Sequence, residues 1–359
     1  MAEPLNCTVL GAGLIGRLLA HALAAQGHRV NVYEASGPDG TGAAARVAAS
    51  MLAPLAESAI TETPVVNMGQ YSLQRWPELI AQLPAPVYFQ QQGSLLLWHR
   101  PDAQQARMLV DKLQINSQSM SADSQPQTVE GDMLHALEPE LAGKFQQGLF
   151  LPREGQLDNR QLLAGLLASL QNQQVNIHWH SKVSLDELVN KATCDTDWVF
   201  DCRGLGARED WQQIRGVRGE VIRLHAPEVH ITRPVRLVHP RYPLYIAPKQ
   251  DQVYVIGATE IETDDISGAS VRSTLELLSA AYSLHSGFAE ARILEINTQL
   301  RPTLKNNMPA IRRLSDKCLQ INGLYRHGFL IAPAVLDAVM HLLAGDTSLA
   351  KQFELMNDE

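Results

Sequence analysis

Gly11-Ala12-Gly13-Leu14-Ile15-Gly16 follows directly on a short apolar run, Thr8-Val9-Leu10, and opens an apolar helical stretch from Leu14 to Ala25. Glycines at these three positions suit a pyrophosphate. Gly11 permits the tight strand-to-helix turn, Gly13 lets phosphate approach bare backbone, and Gly16 lets helix and strand pack closely. Leu14 and Ile15 stand in the first helical turn, whose free N–H groups and positive dipole end face the phosphates. A second strand, Arg29 to Tyr33, leads to Glu34, 18 residues beyond Gly16. A carboxylate there accepts hydrogen bonds from a ribose 2′-hydroxyl. That favours FAD or NAD over NADP. The rival reading is an ordinary glycine-rich turn; the strand before, the helix after and the acid at the right distance speak against it. The motif alone does not choose FAD over NAD.

The elements that must hold this site fall into alternating blocks. Residues 7–34 form a βαβ unit, followed by a small-residue loop from Gly37 to Ala49, suited either to close backbone approach or to a flexible linker. The spacing predicts helices from Thr63 to Leu83, Asp102 to Gln114 and Arg160 to Gln171, the last capped by Asn159. Strands are expected at 87–89, 94–98, 175–179, 198–202, 219–224, 244–247 and 252–257, with a long helix from Val271 to Leu284, a strand at 319–321 and a final helix from Ala334 to Leu343. Clustered strands without intervening helices imply an antiparallel sheet. The expected class is therefore α/β at the start, middle and end, and α+β taken whole.

Composition excludes several classes. The chain has 359 residues, 45% apolar and 19% charged, with net charge −8. That describes a globular enzyme, and neither the acidic balance nor the absence of a Lys/Arg run suits nucleic acid. No apolar run reaches the length of a bilayer span and nothing resembles a signal peptide. Cys7, Cys194, Cys202 and Cys318 are scattered, which fits free thiols in a reducing cytoplasm. Twelve histidines show no ligand spacing, so no metal is expected.

Four segments resemble the D-amino-acid-oxidase-like FAD flavoproteins, and within them the glycine oxidase branch linked to thiamine biosynthesis. They are Gly11 to Gly16; Ala48-Ala49-Ser50-Met51-Leu52-Ala53-Pro54 with Glu57; Tyr245-Ile246-Ala247-Pro248 with Ile256-Gly257-Ala258-Thr259-Glu260; and Leu300-Arg301-Pro302 with Arg326-His327-Gly328-Phe329-Leu330-Ile331-Ala332-Pro333. The chain departs from the pattern at Gln299, where the family often has glycine, and at His327, where asparagine is commoner.

The resemblance implies a glutathione-reductase-type fold. A discontinuous Rossmann-like FAD-binding domain would span 1–85, 150–215 and 298–359, and an antiparallel substrate domain 86–149 and 216–297. It implies noncovalent FAD, a small amine or amino acid, and O2, with homo-oligomerisation left open. Hydride would pass from Cα to flavin N5, the imine would hydrolyse, and O2 would reoxidise the flavin to give H2O2, ammonia and glyoxylate. Arg301 would fork onto the substrate carboxylate, with Tyr245 donating to the same group. Arg326 is either a second positive charge near that acid or a salt-bridged loop residue. Met51 and Ala53 would shape the pocket wall. Ala49 and Ser50 belong to the flavin-side loop, and Gly204 and Gly206 permit close approach. The backbone from His327 and Gly328 through Phe329 and Leu330 to Ile331 would face the flavin, with a helix starting near Pro333 supplying its dipole. Arg46 is either a pyrophosphate counterion or a solvated arginine, and Val183 would touch adenine. The rivals to an oxidase are a quinone-linked amino-acid dehydrogenase of the same fold and a flavoprotein acting on a protein partner.

Overall fold

The computed structural model of the chain describes residues 3–118, 120–189, 196–238 and 244–356. Two large sheets organise it. The first has six strands in the spatial order Ala310–Ser315, Cys318–Asn322, Trp198–Asp201, Asn6–Leu10, Arg29–Tyr33, Asn176–His178. Its strands pair in parallel except for the hairpin at 310–322. Strands buried on both faces are mostly apolar, as in the buried run Cys7-Thr8-Val9-Leu10, where Thr8 is the one polar side chain. Helices Leu14–Ala25, Thr63–Ala81, Asn159–Asn172 and Gly328–Leu343 share one apolar core with this sheet.

The second sheet has eight strands in the order Arg292–Thr303, Arg215–His225, Val253–Gly257, Leu244–Pro248, Val235–Leu237, Ser94–Leu97, Gln147–Leu151, Gln127–Glu130. It is antiparallel except where Val235–Leu237 runs parallel to Ser94–Leu97. Side chains alternate between faces. Ile222, Leu224, Ile246, Tyr254 and Ile256 enter a core shared with the helix Val271–Leu284. The opposite face carries a row set by register. Val217 lies opposite Arg301, Gly257 opposite both Val221 and Tyr245, and Tyr245 opposite Arg236. Three polar side chains thus reach one surface from three strands.

Two local readings need correction, and one strand was not foreseen. The last long helix begins at Gly328, not near Pro333, and Pro333 lies inside it. Proline withholds the N–H that would bond to the carbonyl four residues earlier, and that carbonyl, Phe329 O, accepts from Trp76 Nε1 at 2.9 Å instead. Ala334 N, at the same turn, donates to Ser72 Oγ at 3.2 Å. The helix therefore runs through a residue that reads as its start. The cap of Asn159–Asn172 is Asp158, whose Oδ1 accepts from Arg160 N (2.8 Å) and Gln161 N (2.9 Å). Asn159 instead donates to Ala45 O and Arg46 O at 2.9 and 2.7 Å, pinning the small-residue loop. Finally, residues 292–303 form a twelve-residue strand. Its proline, Pro302, is tolerated because this strand is a sheet edge.

The apolar helical run Tyr325–Leu343, long enough by length and composition to cross a bilayer, is a core helix here. Cys7, Cys202 and Cys318 are free thiols; Cys194 lies outside the described residues. A side chain at Gly16 would place its Cβ 1.8 Å from Gly11 O. Gly16→Ala should therefore cost at least the upper end of the ~1–3 kcal/mol typical of overpacking, read as a lowered denaturation midpoint.

Candidate active site

One cleft runs from the first βαβ unit to the row of polar side chains on the second sheet. At its first end Gly11 adopts φ +90°, which strains any L side chain, and a Cβ there would lie 2.7 Å from Cys202 O. A Cβ at Gly13 would have nothing nearer than Ala43 Cβ at 4.0 Å, so the backbone before helix Leu14–Ala25 lies open to the cleft. Glu34 accepts from Ala12 N (2.6 Å) and from Ser36 N and Oγ (2.8 and 2.7 Å). A carboxylate has about four lone-pair sites, so capacity remains for a sugar hydroxyl. A smaller pocket adjoins, lined by Glu34, Ser181 and Val183 and sharing Gly11 and Gly206 with the cleft.

In the middle of the cleft lies the segment Ala49–Met51. Ser50 sits at φ 53° and its Oγ donates to Leu157 O at 2.6 Å. Lys249 Nζ, buried, donates to Ala49 O (2.9 Å), Leu157 O (2.7 Å) and Gln156 Oε1 (3.1 Å). Burial pulls this ammonium down to about 7. Opposite stand Gly328, Phe329 and Leu330, the first turn of the long helix. The helix is entered directly from the tight turn Tyr325–His327, and the positive end of its dipole faces the cleft. It arises at Gly328, one turn earlier than the sequence suggested.

At the far end Arg301 donates from Nη2 to Thr259 O (3.0 Å) and from Nη1 to Arg218 O (3.4 Å). A Cβ at Gly219 would fall 2.4 Å from Arg301 Nη2, so a bare glycine makes room for the guanidinium. Gly257 does the same for Tyr245, whose Cε2 would stand 3.2 Å from an added Cβ. Burial raises the Tyr245 phenol, with Arg301 opposing; the group is a neutral hydroxyl donor.

Arg326 is ion-paired on both sides, Nη2 to Glu57 Oε2 at 2.6 Å and Nη1 to Glu260 Oε2 at 3.0 Å. Arg236 Nη1 reaches Glu57 Oε1 at 3.3 Å and Ala56 O at 2.8 Å. Burial would raise the Glu57 carboxyl, yet Arg326, Arg236 and His327 hold it at about 2. Burial lowers His327 to about 4, so it is a neutral imidazole. Behind Arg236, Glu154 is buried, bonded by Ser94 Oγ and by Ala56 N at 2.7 Å. Burial pushes its carboxyl up to about 7. Among the described residues lining the cleft, Arg203, Arg236 and Arg326 all have carboxylate partners and Arg301 has none.

The cleft collects Gly11, Gly13, Leu14, Ile15, Glu34, Ala49, Ser50, Met51, Gly204, Gly206, Tyr245, Arg301, Arg326, His327 and Gly328 to Leu330. Others stand apart. Gly16 packs beneath Gly11. Arg46, half-buried, donates to Asp39 O at 3.0 Å and does not line the cleft, while Asn159 holds its carbonyl. Ile331 is wholly buried in the core. Arg236, Glu154 and Lys249 were not singled out from sequence. Their signal is a charged residue inside an apolar strand, as in Val235-Arg236-Leu237, or at the end of one.

The family model described as DAO, FAD dependent oxidoreductase, matches residues 6–339. The chain belongs to this family. It is 36% identical over 335 residues, 93% of this chain and 95% of the relative, to a Rhizobium etli protein named "Putative thiamine biosynthesis oxidoreductase ThiO". Its fold is that of glycine oxidase from Bacillus cereus (TM-score 0.80, 20% identity, 99% of each chain). Iminodiacetate oxidase from Chelativorans sp. is similar at TM-score 0.82 and 18% identity, covering 98% of this chain and 100% of that one. The family member is thus an FAD-dependent oxidoreductase with a parallel FAD-binding sheet and a mostly antiparallel second sheet.

The residues fit FAD. The backbone around Gly13 is open, the first turn of the helix at Gly328 lines the cleft, and Arg326 Nε is buried with no hydrogen-bond partner among the described residues. A buried donor without an acceptor is costly, and a bound ring carbonyl or carboxylate relieves it.

Two predictions follow from these contacts. Glu34→Ala should lose FAD on gel filtration, read as a lower visible-to-ultraviolet absorbance ratio; a fully yellow variant would remove the ribose contact. Glu154 binds a proton in the folded state up to about pH 7 and in the unfolded state only up to about 4.5. Between those values the folded state holds more protons, so stability falls as pH rises. Glu154→Gln should abolish a decline of about 1–3 kcal/mol between pH 4.5 and 7, measured by denaturant unfolding at both pH values.

Proposed function

We propose that this chain oxidises a small amino acid or N-substituted glycine bearing a free carboxylate, such as glycine, sarcosine or a small D-amino acid. The observation that carries the reading is Arg301. It is a cleft guanidinium anchored by two main-chain carbonyls and without a carboxylate of its own among the described residues. A fork of this kind binds an incoming carboxylate through two parallel hydrogen bonds. Tyr245, on the same sheet face, donates a further bond, and Met51 and Ala53 close the wall of the cleft.

FAD, when bound, supplies the hydride acceptor. The protein's task is to orient Cα–H within near-attack distance. Arg301 and Tyr245 fix the acid end, which leaves the Cα substituents to face the middle of the cleft. Glu57 is held ionised and serves as counterion to Arg326 and Arg236, not as a base. With FAD bound, the positive end of the helix at Gly328 and Arg326 Nε would favour the negative charge that grows on its reduced ring. The products would be the imine, or glyoxylate and ammonia after hydrolysis, with H2O2 from reoxidation by O2.

The name of the Rhizobium relative supports a place in thiamine biosynthesis, and the names of both oxidases support O2 as acceptor. Noncovalent FAD is part of this reading. Cys202, the cleft cysteine among the described residues, has its thiol driven well above the usual range by burial, which disfavours thioether formation. So is the division into an FAD lobe over 1–85, 150–215 and 298–359 and a substrate lobe over 86–149 and 216–297. The scattered free cysteines support a cytoplasmic setting.

The test is anaerobic mixing of the FAD-loaded protein with glycine, sarcosine and D-alanine, followed by air. Bleaching of the visible bands, with recovery and peroxide on admission of air, is expected. Bleaching that air does not reverse would make the protein a dehydrogenase; no bleaching with any amine would sink the reading. Arg301→Ala should raise KM steeply, costing about 2–5 kcal/mol in apparent binding. An unchanged KM would remove Arg301 from the clamp.

A further inference from the structure

At the substrate end of the cleft the charges balance except for one. Arg236 and Arg326 face Glu57 and Glu260, two cations against two anions, and Arg301 is left over. Each terminal nitrogen of Arg326 already holds a carboxylate, Nη1 that of Glu260 and Nη2 that of Glu57, and Nε is buried without a hydrogen-bond partner among the described residues. Glu260 stands at the rim of the cleft with its side chain 35% exposed. It directly follows Thr259, whose carbonyl accepts from Arg301 Nη2 at 3.0 Å. The group that would receive a substrate carboxylate and the carboxylate of Glu260 are therefore neighbours.

We infer that Glu260 is a specificity-determining residue that restricts this cleft to amines carrying a single carboxylate. The inference rests on the reading of Arg301 as the carboxylate clamp. A substrate acid group on Arg301 completes the charge balance. A second acid group on the same small molecule enters the cleft beside Glu260 and Glu57, and the cation that would welcome it, Arg326, is already engaged by both. Like charges brought together in a partly buried cleft repel strongly enough to set selectivity. A hydrogen, a methyl or another neutral substituent meets no such repulsion. Replacing Glu260 by a neutral residue leaves Arg326 with Glu57 alone and frees Nη1 for a second carboxylate.

The experiment titrates FAD-loaded wild type, Glu260→Gln and Arg301→Ala with glycolate, which has one carboxylate, and malonate, which has two. Perturbation of the visible flavin bands reads binding without turnover. Wild type should bind glycolate at least tenfold more tightly than malonate, and Glu260→Gln should narrow that ratio at least tenfold through tighter malonate binding. Equal affinities in wild type, or an unchanged ratio in Glu260→Gln, would overturn the inference while leaving the clamp intact. Equal glycolate affinity in wild type and Arg301→Ala would instead remove the clamp, and the inference with it. A steady-state comparison of sarcosine with iminodiacetate should move the same way, with kcat/KM for the diacid rising in Glu260→Gln relative to sarcosine.

Discussion

Glu57 is shared by two arginines that arrive from different parts of the chain. Arg326 comes from the turn before the last long helix, Arg236 from a strand in the middle of the second sheet, and Glu57 from the short helix Pro54–Glu57 beyond the flavin-side loop. Removing one member of such a set strands a buried charge, which costs far more than the pair itself contributes. The triad thus ties both sheets and the loop between them around one cleft. It also consumes the positive charge of Arg236 and Arg326, so that among the described arginines lining the cleft Arg301 alone is without a carboxylate.

The geometry of that arginine comes from absent side chains as much as from present ones. Gly219 and Gly257 lie in the second sheet beside Arg301 and Tyr245, where any Cβ would press on the guanidinium or the ring. Glycine costs a strand stability through entropy and lost packing. Here the space it leaves lets two polar groups lie flat against the sheet. Main-chain carbonyls of Arg218 and Thr259 then satisfy Arg301 without neutralising it. The result is a fixed cation, oriented by the backbone and open to a ligand.

Much of this was legible in the sequence, and the failures have physical causes. Gly11, Gly13 and Glu34 could be grouped from sequence at one end of the cleft because turn, helix terminus and carboxylate act over a few residues of known spacing. The helices Thr63–Ala81 and Val271–Leu284 showed in their apolar periodicity. The strand Arg292–Thr303 was missed because its edge position leaves Ile293 and Leu294 half exposed and admits Pro302, so alternation is blurred. A charge inside or at the end of an apolar strand marks Arg236 and Glu154, but nothing local gives their role. Their importance is set by which charges the fold brings against them, and those partners are far away in sequence. Asp158 and Asn159 are adjacent and both can cap; only the tertiary position of Ala45 O and Arg46 O assigns the cap to one and the loop to the other.

The indole of Trp76 supplies to Phe329 O the bond that Pro333 cannot. Two positions more than two hundred residues apart therefore form one hereditary unit. A lineage that loses the indole strands a buried carbonyl unless position 333 also regains an amide, and one that regains the amide no longer needs tryptophan there. Because Phe329 belongs to the turn that lines the cleft, drift on the helix Thr63–Ala81 is answerable to the shape of the cleft.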